Sequence, residues 1–215
     1  MMEYVKICGL KKYDHVQICI ENGADAVGFL YNVPSSPRNM QKFELTSLLQ
    51  LIKNEISTVI VLKPSSVQEL KEIINTLDAT YFQIHPDFDN SELEKLSKKL
   101  KKKIILAFNV NHANKESVIK FINYFRNQFF AFLLDNSEGG GSELDLNIIQ
   151  EILKESLGIR IIVAGGITIE NIDEIVNILE PYGIDVSSSL EMKKGVKDPE
   201  RIKNFLIKIN KLKKN

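Results

Sequence analysis

The sequence predicts an α/β protein, a single (β/α)8 TIM barrel domain over residues 1–215. Three observations predict it. Short runs rich in β-branched and aromatic residues recur along the chain. Helix-period stretches separate them, and successive runs begin 22 to 31 residues apart. Alternating strands and helices build parallel βαβ units, and eight such units close into a barrel. A doubly wound open sheet is the alternative. Its first turn often carries a glycine-rich dinucleotide fingerprint, which "CGLKKYD" does not fit.

The first strand is "YVKIC" (4–8). It leads to the helical pattern "HVQICIENGA", where Val16 and Ile20 mark the buried face and Cys19 reads as core. "AVGFLY" (26–31) is strand two, followed by "FELTSLLQLIKN" (43–54), which repeats apolar residues at three- and four-residue steps. "STVIVL" (57–62) precedes "VQELKEIINTL" (67–77), with the same period. "TYFQI" (80–84) is strand four. Its helix closes in "KKLKKK" (98–103), where cations suit the negative end of the helix dipole. "KIILAF" (103–108), "FFAFLL" (129–134), "IRIIVA" (159–164) and "GIDVS" (183–187) complete the eight.

Acidic and basic residues balance at 28 each, so no global field draws the chain to nucleic acid or a membrane surface. No apolar run approaches the ~20 residues of a membrane span. The start "MMEYVKICGL" lacks the regions of a signal peptide. Two cysteines do not make a disulfide framework. The expectation is a cytoplasmic protein with reduced thiols, a monomer or homodimer.

In such a barrel, chemistry gathers at the carboxyl ends of the strands. Those ends offer Cys8, Arg38 in "NVPSSPRN", His85 in "QIHP", Asp135, "AGGIT" and "DVSSSLE". Gly165 and Gly166 let a ligand approach backbone N–H groups. Thr168 is a candidate cap for the helix that follows. Ser187, Ser188 and Ser189 add hydroxyls one unit later. Loops after strands seven and eight often hold phosphate, so "GG" followed by "SSS" reads as a phosphate site rather than a mere tight turn.

Parity sorts the strands. Lys6 and Cys8 share one face of strand one and point inward if Val5 and Ile7 face the helices. Leu133 and Asp135 turn inward on strand six. Cys8 and Asp135 are then candidates for proton transfer. The other reading is a small buried thiol and a loop-capping aspartate. Strand eight closes beside strand one, which predicts an ion pair between Lys6 and Asp185 inside the barrel. The lysine's field is expected to lower the Cys8 pKa. His15, His85 and His112 lack partner clusters, so no metal site is predicted.

Five segments together resemble the phosphoribosylanthranilate isomerase family of tryptophan biosynthesis. They are "KICGL", "GADAVGFLYNVPSSPR", "LLDNSEGGGSELD", "VAGGITIENIDEIV" and "YGIDVSSSLEMKKGVKDPERIKNF". The resemblance spans essentially the whole chain. It implies an Amadori rearrangement of N-(5′-phosphoribosyl)anthranilate to 1-(o-carboxyphenylamino)-1-deoxyribulose 5-phosphate. By carry-over, Asp135 is the acid, Cys8 the base, and Arg38 holds the substrate carboxylate. Gly165, Gly166, Ser188 and Ser189 hold the phosphate, and His85 binds substrate. No cofactor is implied. The chain departs from the family in Ser189 for a glycine, Leu106 for a frequent lysine, Pro86 for a glycine, and Ser142–Glu143 where a basic residue is common. The histidine-pathway aminoaldose isomerase runs the same chemistry with an aspartate base, and Cys8 argues against it.

Overall fold

The alternation becomes a closed barrel. The structure is a computed structural model and describes residues 2–135 and 144–213. The eight strands are β1 (Tyr4–Cys8), β2 (Ala26–Tyr31), β3 (Ser57–Leu62), β4 (Tyr81–Ile84), β5 (Ile104–Asn109), β6 (Ala131–Asp135), β7 (Ile161–Ala164) and β8 (Gly183–Val186). All neighbours pair in parallel, and β8 pairs with β1 to close the ring. The helices are α1 (Tyr13–Glu21), α2 (Lys42–Leu51), α3 (Val67–Thr76), α4 (Lys98–Lys101), α5 (Lys115–Tyr124), α6 (Leu146–Glu155), α7 (Ile172–Leu179) and α8 (Pro199–Leu212). The fourth helical unit is shorter than its sequence pattern. A 3₁₀ segment, Asn90–Lys95, precedes the single-turn α4.

Parity separates two apolar layers. Val5, Ile7, Val27, Phe29, Ile60 and Ile184 pack outward beneath the helices. Tyr4, Ala26, Val59, Ile105, Leu133 and Ile162 fill the barrel. At the amino end, Tyr81 stacks on Phe130 at 3.8 Å and Tyr4 on Tyr182 at 6.0 Å. Rings in contact there close the floor, which leaves the open mouth at the other end.

Two additions shape that mouth. A short strand, Asn39–Met40, pairs beside β2 just after Arg38. A hairpin of Glu191–Lys193 and Val196–Lys197 follows β8 and precedes α8. No helix among the described residues is long and apolar enough to cross a membrane.

Candidate active site

A cleft of about 660 Å³ opens at the carboxyl ends of the strands. Cys8, Arg38, His85, Asp135, Gly165, Gly166 and Ser188 all line it. They come from six different strand ends and were separated by up to 180 residues in sequence. Ser189 does not line it; its hydroxyl is buried without a hydrogen-bond partner among the described residues. A second hollow, about 550 Å³, lies at the amino end between the ends of α2 and α3. Its Lys53 and Asp78 pair with each other at 3.1 Å, so no set of reactive groups converges there.

Cys8 ends β1 and is 6% exposed. Directly beneath it, Lys6 is 0% exposed and donates to Asp185 Oδ2 at 2.7 Å. The pair expected from parity is therefore present, and Lys6 and Asp185 are register partners across β1 and β8. Burial works against the Lys6 ammonium, but Asp185 and Cys8 outweigh it and its pKa rises. For Cys8 the expected direction is overturned. Burial pushes the thiol up, Lys6 opposes it, and burial wins. The cation offsets part of the desolvation of a thiolate and does not invert it.

Gly28 on β2 makes the arrangement possible. A Cβ there would lie 2.9 Å from Cys8 Sγ, 2.9 Å from Lys6 Cε and 3.1 Å from Lys6 Nζ. Gly28→Ala is expected to lower stability by about 1–3 kcal/mol, the usual cost of overpacking. The midpoint of urea unfolding reads this. An unchanged midpoint would mean that Lys6 and Cys8 can move aside.

His85 is half-buried, with Nε2 3.2 Å from the Gln83 amide nitrogen. Burial lowers its pKa and the Asp135 charge opposes that, so the ring is neutral near pH 7. Gly165 and Gly166 adopt φ of 88° and 60°. Glycine enters that region at no steric cost, and the resulting turn presents bare backbone to the cleft. Thr168 caps no helix. Its hydroxyl accepts from the N–H groups of Glu170 and Asn171, and α7 starts only at Ile172. Asn171 Oδ1 in turn accepts from Thr168 N–H at 2.8 Å, so the loop after β7 is internally bonded.

Arg38 is held in a way its sequence neighbourhood does not announce. Nε and Nη2 donate to Glu191 Oε1 and Oε2 at 2.6 and 2.9 Å. Glu191, Lys193 and Lys194 also line the cleft, and sequence reasoning missed all three. The only available signal was the charge run "EMKKGVK" after the serines.

Two departures from the family have different weight here. Leu106 packs in the outer layer under the helices, so a change there does not touch the cleft. Ser142 and Glu143 lie outside the described residues. Cys19 is fully buried, as expected of a core thiol. His112 is exposed and lies 3.5 Å from Asp145. No group of three or more metal-ligating side chains occurs among the described residues.

Residues 5–208 match the family described as N-(5'phosphoribosyl)anthranilate (PRA) isomerase. An N-(5'-phosphoribosyl)anthranilate isomerase of Methanococcus aeolicus is 34% identical over 209 residues, covering 94% of this chain and 96% of that protein. The Sulfurihydrogenibium enzyme of the same name is 31% identical over 207 residues, covering 94% and 96%. The solved phosphoribosyl anthranilate isomerase of Thermococcus kodakaraensis is 28% identical with a TM-score of 0.77, covering 97% of this chain and 99% of that one. A match over nearly the full length, on a fold whose strand ends carry the expected side chains, places this chain in the phosphoribosylanthranilate isomerase family.

Proposed function

We propose that this chain converts N-(5′-phosphoribosyl)anthranilate to 1-(o-carboxyphenylamino)-1-deoxyribulose 5-phosphate in tryptophan biosynthesis, with Asp135 as general acid and Cys8 as general base. The observation that carries the proposal is the convergence of Cys8, Arg38, Asp135 and the Gly165–Gly166 turn on one cleft. Family membership supports the reaction, and the cleft supports the roles.

The chemistry needs an acid and a base on different sides of one sugar. Asp135 protonates the furanose ring oxygen, and the C1–O bond breaks to give an iminium. Cys8 removes the C2 proton, and the electron pair moves toward the iminium nitrogen to form an enolamine. Tautomerisation yields the ketone. The iminium is the electron sink, so the step asks for no cofactor. Cys8 and Asp135 stand on β1 and β6, well separated around the ring, which suits action on opposite sides. A thiol whose pKa lies above its ordinary value is a scarce base at neutral pH but a strong one once ionised.

The ligand's two anionic ends have separate receptors. Arg38 offers a planar fork to the anthranilate carboxylate. The turn at Gly165 and Gly166, with Ser188 across from it, receives the phosphate, and the buried Ser189 hydroxyl takes no part. His85 contributes a neutral ring to the wall between them. Rescue of a tryptophan-requiring strain that lacks the isomerase tests the activity, and failure to rescue with soluble protein present would reject it.

Arg38→Ala is expected to raise KM while kcat changes little. A fork that holds the carboxylate in both ground and transition states contributes uniform binding. The loss is about 10- to 100-fold, the range for hydrogen bonds to a charged group. Steady-state kinetics with the fluorescent substrate decides; an unchanged KM places the carboxylate elsewhere.

A further inference from the structure

The Arg38 fork is fixed from the opposite side of the mouth. Glu191 is 7% exposed and takes four donors. Two come from Arg38, one from Gly195 N–H at 2.9 Å and one from Lys197 Nζ at 3.0 Å. Lys197 is 3% exposed and also donates to Ser187 O at 2.7 Å, at the start of the serine loop. Two glycines let these segments meet. A Cβ on Gly9 would lie 2.6 Å from Arg38 Cδ, and one on Gly195 would lie 2.9 Å from Pro37 Cβ.

The geometry divides the guanidinium. Its Nε–Nη2 edge is occupied by Glu191, and among the described residues Nη1 makes no hydrogen bond. The Nη1–Nη2 edge is thus left for a ligand. Charge points the same way. An arginine paired only with a glutamate is neutral overall and attracts an anion poorly. Lys197 is a second buried cation, so the group of three keeps one positive charge.

We propose that Glu191 and Lys197 are positioning residues for the substrate carboxylate: Glu191 orients the Arg38 fork toward the cleft, and Lys197 restores the positive charge that Glu191 removes. This rests on the reading of Arg38 as the carboxylate receptor. Burial works against the Glu191 carboxylate, but its four donors outweigh that and hold its pKa down at about 2, so it stays charged at any working pH. Burial pulls the Lys197 ammonium below its usual range, and Glu191 opposes that pull.

Glu191→Gln and Lys197→Met in the full chain test the proposal. Each should raise KM by about 10-fold or more, with a far smaller fall in kcat. Anthranilate and inorganic phosphate serve as separate probes of the two ends. Anthranilate binding, by inhibition or calorimetry, should weaken in both variants; phosphate binding should hold in Glu191→Gln and weaken less than anthranilate binding in Lys197→Met, where the bond to the serine loop is also lost. A hairpin that is merely structural would lower the melting temperature and leave that ratio unmoved. An unchanged KM and anthranilate affinity in either folded variant overturns the proposal. Lys197→Met keeps the Arg38–Glu191 fork and so decides the matter if Glu191→Gln does not fold. An inactive wild-type enzyme would instead sink the isomerase reading, and the calorimetric comparison would still judge the positioning role.

Discussion

Cys8→Ala is expected to leave a folded barrel whose kcat falls by about 10²–10⁴-fold, the usual contribution of a general base. Asp135→Asn should lose activity on the same scale. The fold survives because the change at Cys8 is small and lies at the rim of the core. The Lys6–Asp185 pair beneath it remains intact. The rate falls because nothing else at the end of β1 can take a proton from the sugar. Single turnovers followed by the fluorescence of the anthranilate moiety measure the chemical step directly. Near-normal kcat in Cys8→Ala would remove the proposed base. Asp135→Asn with near-normal kcat would equally remove the acid.

Asp185→Ala is expected to cost about 3–5 kcal/mol of stability, because it strands a buried ammonium. Lys6 is completely buried, and the 2.7 Å contact to Asp185 is the interaction that repays its desolvation. A loss of this size is a large share of the ~5–15 kcal/mol that holds a domain folded. Lys6→Met should be milder. Methionine fills a similar volume, and Asp185, although buried, sits on the lining of the cleft and not beneath it as Lys6 does. Urea unfolding of the two variants makes the comparison. A cost below about 1 kcal/mol for Asp185→Ala would show that Lys6 finds another partner or neutralises. The same pair acts on the base. Lys6 opposes the upward push of burial on the Cys8 thiol. Removing the cation raises the thiol pKa further, so activity that depends on thiolate should appear at higher pH in Lys6→Met. A kcat/KM profile that does not move would detach Lys6 from the chemistry.

Much of this molecule was legible in its sequence because local periodicity reports which way a side chain faces. The period of two in "YVKIC" and "GIDVS" was enough to send Lys6 and Asp185 inward. Barrel closure, a global rule, then made them neighbours. Cys8, Asp135, His85 and the Gly165–Gly166 turn were found because a strand end is a local feature. What sequence could not supply were contacts between loops. Arg38 and Glu191 lie 153 positions apart, and no period links the loop after β2 to the hairpin after β8. Their meeting depends on loop paths that glycines at 9 and 195 permit through close packing. Thr168 does not cap α7, because it and Asn171 bond to one another within the loop before the helix begins. The direction of the Cys8 shift was likewise a tertiary decision. A neighbouring cation can be inferred from parity, but the loss of water around the thiol depends on everything packed over it. Sequence determined which strand-end groups face the cleft; the packed structure decided that Glu191, Lys193 and Lys194 join them and Ser189 does not, and which groups hold one another.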